Sequence, residues 1–419
     1  MKRTLSFITV LTIFLDDFVL TRVPIDFYFY YIIFIIVIGL YFTVTHQLPI
    51  DKKFIVVLLV IFFISLIKTQ LNSYPITPTV KQLAGILISS IPYYLIIKIN
   101  KYNVVEIFSI YLKTCYIICF LGILQELTYL IFHIEYRYQY KVTSIVSEPS
   151  HLAITLAPAF FFAINKLFFK SETTLISRQG AWLIFITWLL TMSAVAMLGV
   201  IASIIIVALN KYNILSIRVK VTQVAYMAIA TLVLGLSLYT IYIKLPFIKY
   251  RIDDTWSVIN PERTRKIGNV NLSTYTLYTN FQVTLEALKV NPLFGSGLGT
   301  HSYNYDKFID KVYNFETLSY RQTEFNKDDA NSLMLRLLSE LGLFGLLLFL
   351  IFLYTHNIRR PINSGSQPIT ELWLINNGCL LFFIMRLLRF GNYSVLGFFL
   401  FLFLYYFTHQ QFKGKAIVT

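Results

Sequence analysis

Glu148 and His151 stand three residues apart in the segment Ser147-Glu-Pro-Ser-His151, just before a long apolar stretch. If a helix begins here, the two side chains share one face and leave the same turn. A carboxylate and an imidazole placed together can orient a hydroxyl group or accept its proton. In a competing structural explanation, Ser147 caps the helix, Glu148 favours its positive end and Pro149 fits its first turn. Capping does not account for His151.

Arginines form the second group that could do chemistry. Each guanidinium presents a planar fork that holds phosphate oxygens in pairs, so several of them beside a bilayer would suit a lipid pyrophosphate. A solvated surface is the competing explanation for most of these arginines, and Arg336 could instead pair with Glu340 one turn on. The basic candidates are Arg251, Arg263, Arg265, Lys266, Arg321 and Arg336.

A glycine-rich segment with the sequence Asn-Pro-Leu-Phe-Gly-Ser-Gly-Leu-Gly-Thr-His runs from Asn291 to His301. Backbone amides in such a segment can bind phosphate, but the Gly-Lys-Ser/Thr signature of a nucleotide-binding loop does not follow. We therefore predict a tight turn that brings His301 close to the membrane.

Carboxylates are needed to take a proton from an attacking hydroxyl group. The adjacent pairs Asp16-Asp17 and Asp253-Asp254 lack the one-residue spacing of a metal-nucleotide Asp-x-Asp site, and the histidines and cysteines lack zinc spacing. We therefore predict no bound metal ion. The candidate acids are Glu148, Glu324, Asp328 and Asp329.

The elements that position these residues must lie in a membrane. The chain has 419 residues, of which 57% are hydrophobic and only 14% charged, whereas a soluble domain has about 25% charged residues. A water-soluble protein is therefore excluded. Because a helix needs about 20 apolar residues to cross a bilayer, the apolar blocks predict an all-α polytopic membrane protein with about twelve spans. The predicted spans lie near residues 4–20, 27–45, 54–71, 79–97, 104–132, 149–169, 181–194, 196–210, 221–243, 332–355, 371–388 and 394–409.

The net charge of +15, from 36 basic and 21 acidic residues, is concentrated in short clusters between the apolar blocks. This distribution holds short loops in the cytoplasm, and it argues against nucleic-acid binding. Both termini are then cytoplasmic, and the first apolar block is a retained span, not a cleaved signal peptide. The three cysteines fall inside apolar segments, so no disulfide is predicted.

The same topology divides the chain into three parts. Residues 1–243 contain spans one to nine, residues 244–331 form a large extracytoplasmic loop, and residues 332–419 contain the last three spans. Aromatic residues in the loop indicate that it folds. In residues 181–210 two short spans meet without a loop, so a re-entrant pair or one long kinked helix is an alternative there.

Three segments together resemble one known family. They are Ser147–His151, Asn291–Gly299 and the stretch Asn331-Ser-Leu-Met-Leu-Arg-Leu-Leu-Ser-Glu-Leu-Gly-Leu-Phe-Gly345. Their spacing, the long loop and the many spans are similar to those of the Wzy-like polymerases of O-antigen and capsular polysaccharide repeat units, and of their relatives, the O-antigen ligases.

The resemblance implies a membrane glycosyltransferase of GT-C-like architecture in the bacterial inner membrane, with its active site facing the periplasm. Its donor would be an undecaprenyl-pyrophosphate-linked glycan and its acceptor a second lipid-linked repeat unit, and it would need no cofactor or metal. A flippase and a chain-length regulator would be its partners. Our candidate catalytic residues are Glu148, His151, Arg263, Arg265 and Arg321, and our candidate substrate-binding residues are Arg251, His301, Arg336 and Asn331.

In this hypothesis the loop arginines clamp the donor's pyrophosphate, while Glu148 or His151 orients or deprotonates the acceptor hydroxyl. Two departures from the ligase pattern favour a polymerase: Ala330-Asn331 stands where ligases usually have His-Asn, and the arginine often found shortly before Pro-Leu-Phe-Gly is missing. An O-antigen ligase with lipid A core as acceptor is one alternative. A flippase or other transporter is another, but the long loop counts against it.

Overall fold

The computed structural model describes most of the chain in separate ranges. These are residues 2–15, 18–21, 27–46, 52–134, 141–169, 171–211, 239–240, 242–244, 249, 253, 272–312, 326–359 and 367–416. Four of the predicted site residues lie outside the described residues, namely Arg251, Arg263, Arg265 and Arg321.

The described residues are mostly helical, which confirms the predicted fold class at that level. A short antiparallel pair of strands, β1 (Val19–Thr21) and β2 (Phe27–Tyr28), follows a 3-10 turn at Thr12–Phe14. The helices are α1 (Lys2–Leu11), α2 (Phe29–Thr45), α3 (Lys52–Leu71), α4 (Thr77–Ile99), α5 (Val104–Phe132), α6 (Pro149–Leu167), α7 (Arg178–Leu190), α8 (Ala194–Lys211), α9 (Leu272–Val290), α10 (His301–Val312), α11 (Leu333–Thr355), α12 (Gln367–Leu388) and α13 (Phe398–Ala416).

Six helices within the described ranges are long and apolar enough to cross a membrane: α3, α4, α5, α6, α11 and α12. Shorter apolar segments lie in α2 and α8. The predicted span at 221–243 falls almost entirely outside the described residues. The count of about twelve spans and the extracytoplasmic position of residues 244–331 stay predictions. The described part of that loop contains α9 and α10.

Helix α6 lies at the centre of the bundle and fixes where the Ser147–His151 segment can sit. It begins at Pro149, whose locked φ suits the first turn of a helix, and residues 152–165 are all buried. On one side Phe160 stacks on Trp188 of α7, with ring centroids 3.9 Å apart. On another side Gly378 of α12 lies against Pro158, where the missing side chain allows close approach.

The stretch 181–210 forms a helical hairpin, not one long kinked helix. Helices α7 and α8 are joined by residues 191–193. Helix α7 runs antiparallel to α6, because the end of α6 contacts the start of α7 through Phe168 and Trp182. Helix α8 runs opposite to α7. Asn210, near the end of α8, donates from Nδ2 to Asn377 Oδ1 in the middle of α12, and the same oxygen accepts from Asn357, just beyond the end of α11.

Helix α11 is interrupted at Gly342, which has φ 65° and ψ −161°. The break leaves backbone groups of α11 without partners inside the helix, and the glycine-rich segment supplies them. The amides of Ser296 and Gly297 donate to the carbonyls of Ser339 (3.1 Å) and Glu340 (2.8 Å). In return, the amides beyond the break, at 343 and 344, donate to the carbonyls of residues 292 (2.9 Å) and 293 (2.9 Å).

The interrupted helix requires glycine at its break. The backbone conformation of Gly342 is almost restricted to glycine, and an added Cβ would lie 2.5 Å from the carbonyl of Leu293. We expect Gly342→Ala to lower the free energy of unfolding by about 1–3 kcal/mol. Thermal unfolding of the purified chain in detergent measures this.

Gly39→Ala is the matched control, because Gly39 lies inside α2 and an added Cβ meets nothing within 4 Å. This control should unfold at the same temperature as the wild type or slightly above it, since alanine suits a helix interior better than glycine. Equal unfolding midpoints for Gly342→Ala and the wild type would contradict the described break.

Candidate functional site

Glu148 and His151 meet at the start of α6, as the spacing predicts. Glu148 Oε2 lies 3.8 Å from His151 Nε2, and Ser147 Oγ lies 3.3 Å from His151 Nδ1. The capping explanation needs correction, because the residue at the N-cap is Glu148, and its side chain accepts no backbone hydrogen bond. Glu148 Oε2 instead accepts from the Ser150 hydroxyl at 3.1 Å. Both ionisable groups therefore face each other across one turn.

The turn that precedes α11 carries the second part of the site. Ala330 and Asn331 both have left-handed backbones, with φ of 57° and 56°, and such strain in non-glycine residues clusters at functional sites. The Asn331 amide N–H donates to Asp329 Oδ1 at 3.0 Å. Within the described residues, Asn331 Nδ2 is buried without a hydrogen-bond partner. Asn331 therefore has a donor available at the predicted site.

Arg336 is buried one turn into α11, and each of its guanidinium nitrogens has a protein partner. Nε pairs with Glu340 Oε1 at 2.9 Å, as the sequence suggests. The terminal nitrogens donate to Gln82 Oε1 at 2.7 Å and to the Gly391 carbonyl at 3.4 Å. The guanidinium also lies over the Tyr393 ring, 4.5 Å from its centroid. These contacts favour a role in holding the site together over the predicted substrate binding.

The Arg336–Glu340 pair should be costly to break on one side only. Arg336→Ala leaves the Glu340 carboxylate buried and uncompensated, so we expect a loss of about 3–5 kcal/mol in the free energy of unfolding. The double variant Arg336→Met/Glu340→Leu removes both charges and should be more stable than Arg336→Ala. Chemical unfolding of the two variants in detergent compares them. A double variant less stable than the single one would show that the pair is not a coupled unit.

His301 joins three helices in a closed polar network. Its Nε2 lies 3.0 Å from Asn280 Oδ1 of α9, and its Nδ1 lies 2.9 Å from Ser339 Oγ of α11. Asn280 Nδ2 donates to the Thr276 carbonyl, so Oδ1 faces the ring and Nε2 must be the protonated nitrogen. Burial, and to a smaller extent the charge of Arg336, lower the pKa of His301 to about 3. His301 is therefore a neutral connector, placed by the predicted tight turn.

This environment predicts a specific pH dependence of stability. His301 stays neutral in the folded chain down to about pH 3, but binds a proton below about pH 6.5 when unfolded. Unfolding therefore takes up a proton between these values. The contribution of His301 to the free energy of unfolding therefore decreases as the pH falls through that range, by up to about 1.4 kcal/mol per pH unit.

Thermal unfolding of the wild type and of His301→Gln at pH 7 and pH 5 tests this. The stability advantage of the wild type should shrink at the lower pH, because the variant lacks the proton uptake. His133→Gln, which changes an exposed histidine, is measured at the same two pH values as the control for replacing a histidine by glutamine. A constant advantage over His301→Gln would mean that His301 is not buried in its neutral form.

The segment Arg389-Phe390-Gly391, which follows α12, joins the two parts of the site and is absent from the sequence-based prediction. The Phe390 ring packs on the His151 ring with centroids 4.3 Å apart, and the Phe390 amide donates to the Asn331 carbonyl at 2.8 Å. Gly391 accepts from Arg336. Consecutive residues thus contact the start of α6 and the start of α11.

Arg389 itself bonds to α9 and lies near the acids of the site. Its two terminal nitrogens donate to Ser273 at the start of α9, at 2.8 Å to the hydroxyl and 3.3 Å to the carbonyl. Burial lowers the pKa of Arg389, while the negative charges of Glu148 and Asp329 act in the opposite direction. A signal for this residue exists in the sequence: Arg386 and Arg389 lie next to a predicted outer loop, where basic residues are unusual.

The structure therefore brings together Glu148, His151, Asn331, Arg336 and Arg389 at the end of the bundle where α6 and α11 begin. We call this group the polar cluster. His301 is linked to it through α11, because Ser339 lies one turn beyond Arg336. Among the other candidate acids, Asp329 lies beside the cluster, Asp328 is exposed and Glu324 falls outside the described residues.

An apolar cavity of about 410 Å³ extends from the polar cluster between α3, α4, α11 and α13. Its lining includes Tyr393, whose ring lies under Arg336, and Lys53 of α3. The lining residues of α11 run from Leu333 to Phe352, so the cavity follows most of that interrupted helix.

Within the described ranges, no group of three or more His, Cys, Asp or Glu side chains could hold a metal ion. The side chains of the polar cluster can take part in acid–base chemistry and can bind an anion. Its carboxylates and histidine can accept protons, and its guanidinium groups can face negative charge.

Part of the chain is similar to a known protein family. A family model described as O-antigen ligase matches residues 179–350. The matched range contains the glycine-rich turn, His301, Asn331 and Arg336, whereas Glu148, His151 and Arg389 lie outside it. No curated protein matches the chain significantly.

Proposed function

We propose that the chain, which matches the O-antigen ligase family model over residues 179–350, is a polysaccharide polymerase of the bacterial inner membrane in the superfamily of O-antigen ligases and polymerases. In this proposal it transfers an undecaprenyl-pyrophosphate-linked glycan onto a lipid-linked repeat unit at the periplasmic face. It acts as a GT-C-type glycosyltransferase without metal or cofactor, and a flippase and a chain-length regulator are its partners.

The observation that carries the proposal is the junction between the polar cluster and the apolar cavity. A polyprenyl-pyrophosphate donor has a charged head and a long apolar tail, and it needs both environments side by side. Tyr393 belongs to both, because it lines the cavity and packs on Arg336. The cavity supports a tail lying along α11, with the pyrophosphate beside the start of that helix.

The reaction then follows from the groups at the cluster. The acceptor hydroxyl oxygen attacks the anomeric carbon of the donor sugar, while the bond from that carbon to the pyrophosphate oxygen breaks. The leaving pyrophosphate keeps the electron pair, and the hydroxyl proton passes to Glu148 or His151, which lie 3.8 Å apart. The loop arginines 251, 263, 265 and 321 are proposed to bind the developing charge. One such fixed contact contributes about 2.7–4 kcal/mol to a transition state.

Substitution of Glu148 tests the acid–base part of the proposal. We expect Glu148→Gln to reduce glycan transfer by about 100-fold or more, because the amide cannot accept the proton. The readout is the glycan ladder of a complemented deletion strain, at matched protein levels.

Glu106→Gln is the matched control. Glu106 lies in the first turn of α5, at the other end of the bundle, where it pairs with Lys2 and Arg3. The Glu106→Gln variant should leave the glycan ladder unchanged. A normal glycan ladder from Glu148→Gln would exclude Glu148 as the base. Normal ladders from both Glu148→Gln and His151→Gln would exclude the proposed acid–base pair.

The description of the matching family favours an O-antigen ligase as the second candidate. The deletion strain separates the two functions. Loss of a polymerase leaves single repeat units on the lipid A core, whereas loss of a ligase leaves no O-antigen on the core. The second pattern would overturn the polymerase.

A further inference from the structure

We propose that Arg389 is a further catalytic residue, which binds the pyrophosphate of the lipid-linked donor opposite Glu148. The inference rests on the proposed function and assigns a specific residue to the part of the site that the described structure contains.

Arg389 and Arg336 differ in how their charges are compensated. Arg336 forms an ion pair with Glu340 at 2.9 Å. Arg389 is half-buried and has no carboxylate within 4.0 Å among the residues that the structure describes. Burying a charge that is not paired costs free energy, and an anionic ligand would remove that cost. The electrostatic environment at Arg389 therefore suits an anion.

Donors are also available on Arg389. A guanidinium carries five N–H groups, and the described contacts of Arg389 are the two hydrogen bonds to Ser273. Ser273 therefore orients the side chain while leaving other N–H groups for phosphate oxygens. The planar group can hold two oxygens of one phosphate at once.

The backbone next to Arg389 is held from three directions. Phe390 has a left-handed backbone with φ 73°, which costs free energy for a bulky residue and needs support from its surroundings. Its amide is bound by Asn331 and its ring by His151. A Cβ on Gly391 would collide with the Asp329 carbonyl, so the segment lies directly against the start of α11. Arg389 is thus presented from a fixed base.

The position of Arg389 fits the geometry of the transfer. Phe390, the next residue, packs its ring on that of His151 at 4.3 Å, which places the backbone of Arg389 beside the proposed acid–base pair. The charges of Glu148 and Asp329 also act on the Arg389 guanidinium. Tyr393, four residues further along the same segment, lines the apolar cavity. A pyrophosphate on Arg389 therefore leaves its tail beside the cavity and its sugar beside Glu148.

The alternative is that Arg389 only offsets the charges of Glu148 and Asp329. Binding to the purified full-length chain in detergent separates the two roles, with inorganic pyrophosphate and farnesyl pyrophosphate as probes in calorimetric titrations. The variants are Arg389→Gln, which can still bond to Ser273, and Arg389→Lys, which keeps the charge. Arg359→Ala is the control, because Arg359 is exposed near the end of α11 and bonds the Tyr354 carbonyl.

We expect Arg389→Gln to weaken the binding of both probes at least tenfold, Arg389→Lys to weaken it less, and Arg359→Ala to leave it unchanged. Farnesyl pyrophosphate should bind the wild type more tightly than inorganic pyrophosphate, because the proposed ligand is a pyrophosphate attached to a lipid. Equal affinities for the two probes would indicate a site for free anions and would overturn the lipid-linked assignment. Unchanged binding of both probes by a folded Arg389→Gln would overturn the role of Arg389.

Glycan transfer by the same proteins separates this inference from the proposed function. If the wild type transfers glycan and Arg389→Gln binds pyrophosphate normally, the assignment of Arg389 fails while the proposed function stands. If the wild type produces no polymer from a lipid-linked donor and acceptor, the proposed function fails. In the expected outcome Arg389→Gln raises the donor KM in step with the loss of pyrophosphate binding.

Discussion

The site depends on one constraint, which is that every backbone N–H and C=O group at membrane depth needs a hydrogen-bond partner. Helix α11 breaks at Gly342, inside a segment apolar enough to span a bilayer. The turn at residues 291–300 supplies the missing partners through four backbone hydrogen bonds. Once bound there, the turn sets the start of α10 and places His301 against Ser339. The break in one helix thus docks the described part of the long loop onto the bundle.

Charge at the site is distributed between two arginines with different surroundings. Arg336 is compensated by Glu340 and reaches across to α4 and to Gly391, so it ties three parts of the chain together. Arg389 is held by neutral oxygens of Ser273 and lies near two carboxylates that it does not contact closely. The first arrangement stabilises a structure. The second leaves N–H groups of Arg389 without a described partner beside the cluster, as the inferred binding of a pyrophosphate requires.

Sequence patterns predict the local parts of this arrangement and miss the contacts between distant segments. The helix start at Pro149, the facing pair Glu148 and His151, and the pair Arg336 and Glu340 all follow from short spacings. The competing explanation, with Ser147 as the cap, does not hold, because the N-cap is Glu148 and the Ser147 hydroxyl contacts His151, which local propensity cannot show. Tertiary packing also brings residues 389–391 beside α6 and α11, and no periodicity in the sequence encodes that contact.

The walls of the apolar cavity are unequal. Helix α3 forms one wall, yet only Leu58, Ser65 and Thr69 among its residues are buried, whereas α13 on the opposite side contributes largely buried residues to the core. If the cavity binds a lipid tail, as proposed, α3 is the wall that has the fewest buried residues between that tail and the surrounding bilayer. Loading and release would then proceed sideways through this wall, in the plane of the membrane.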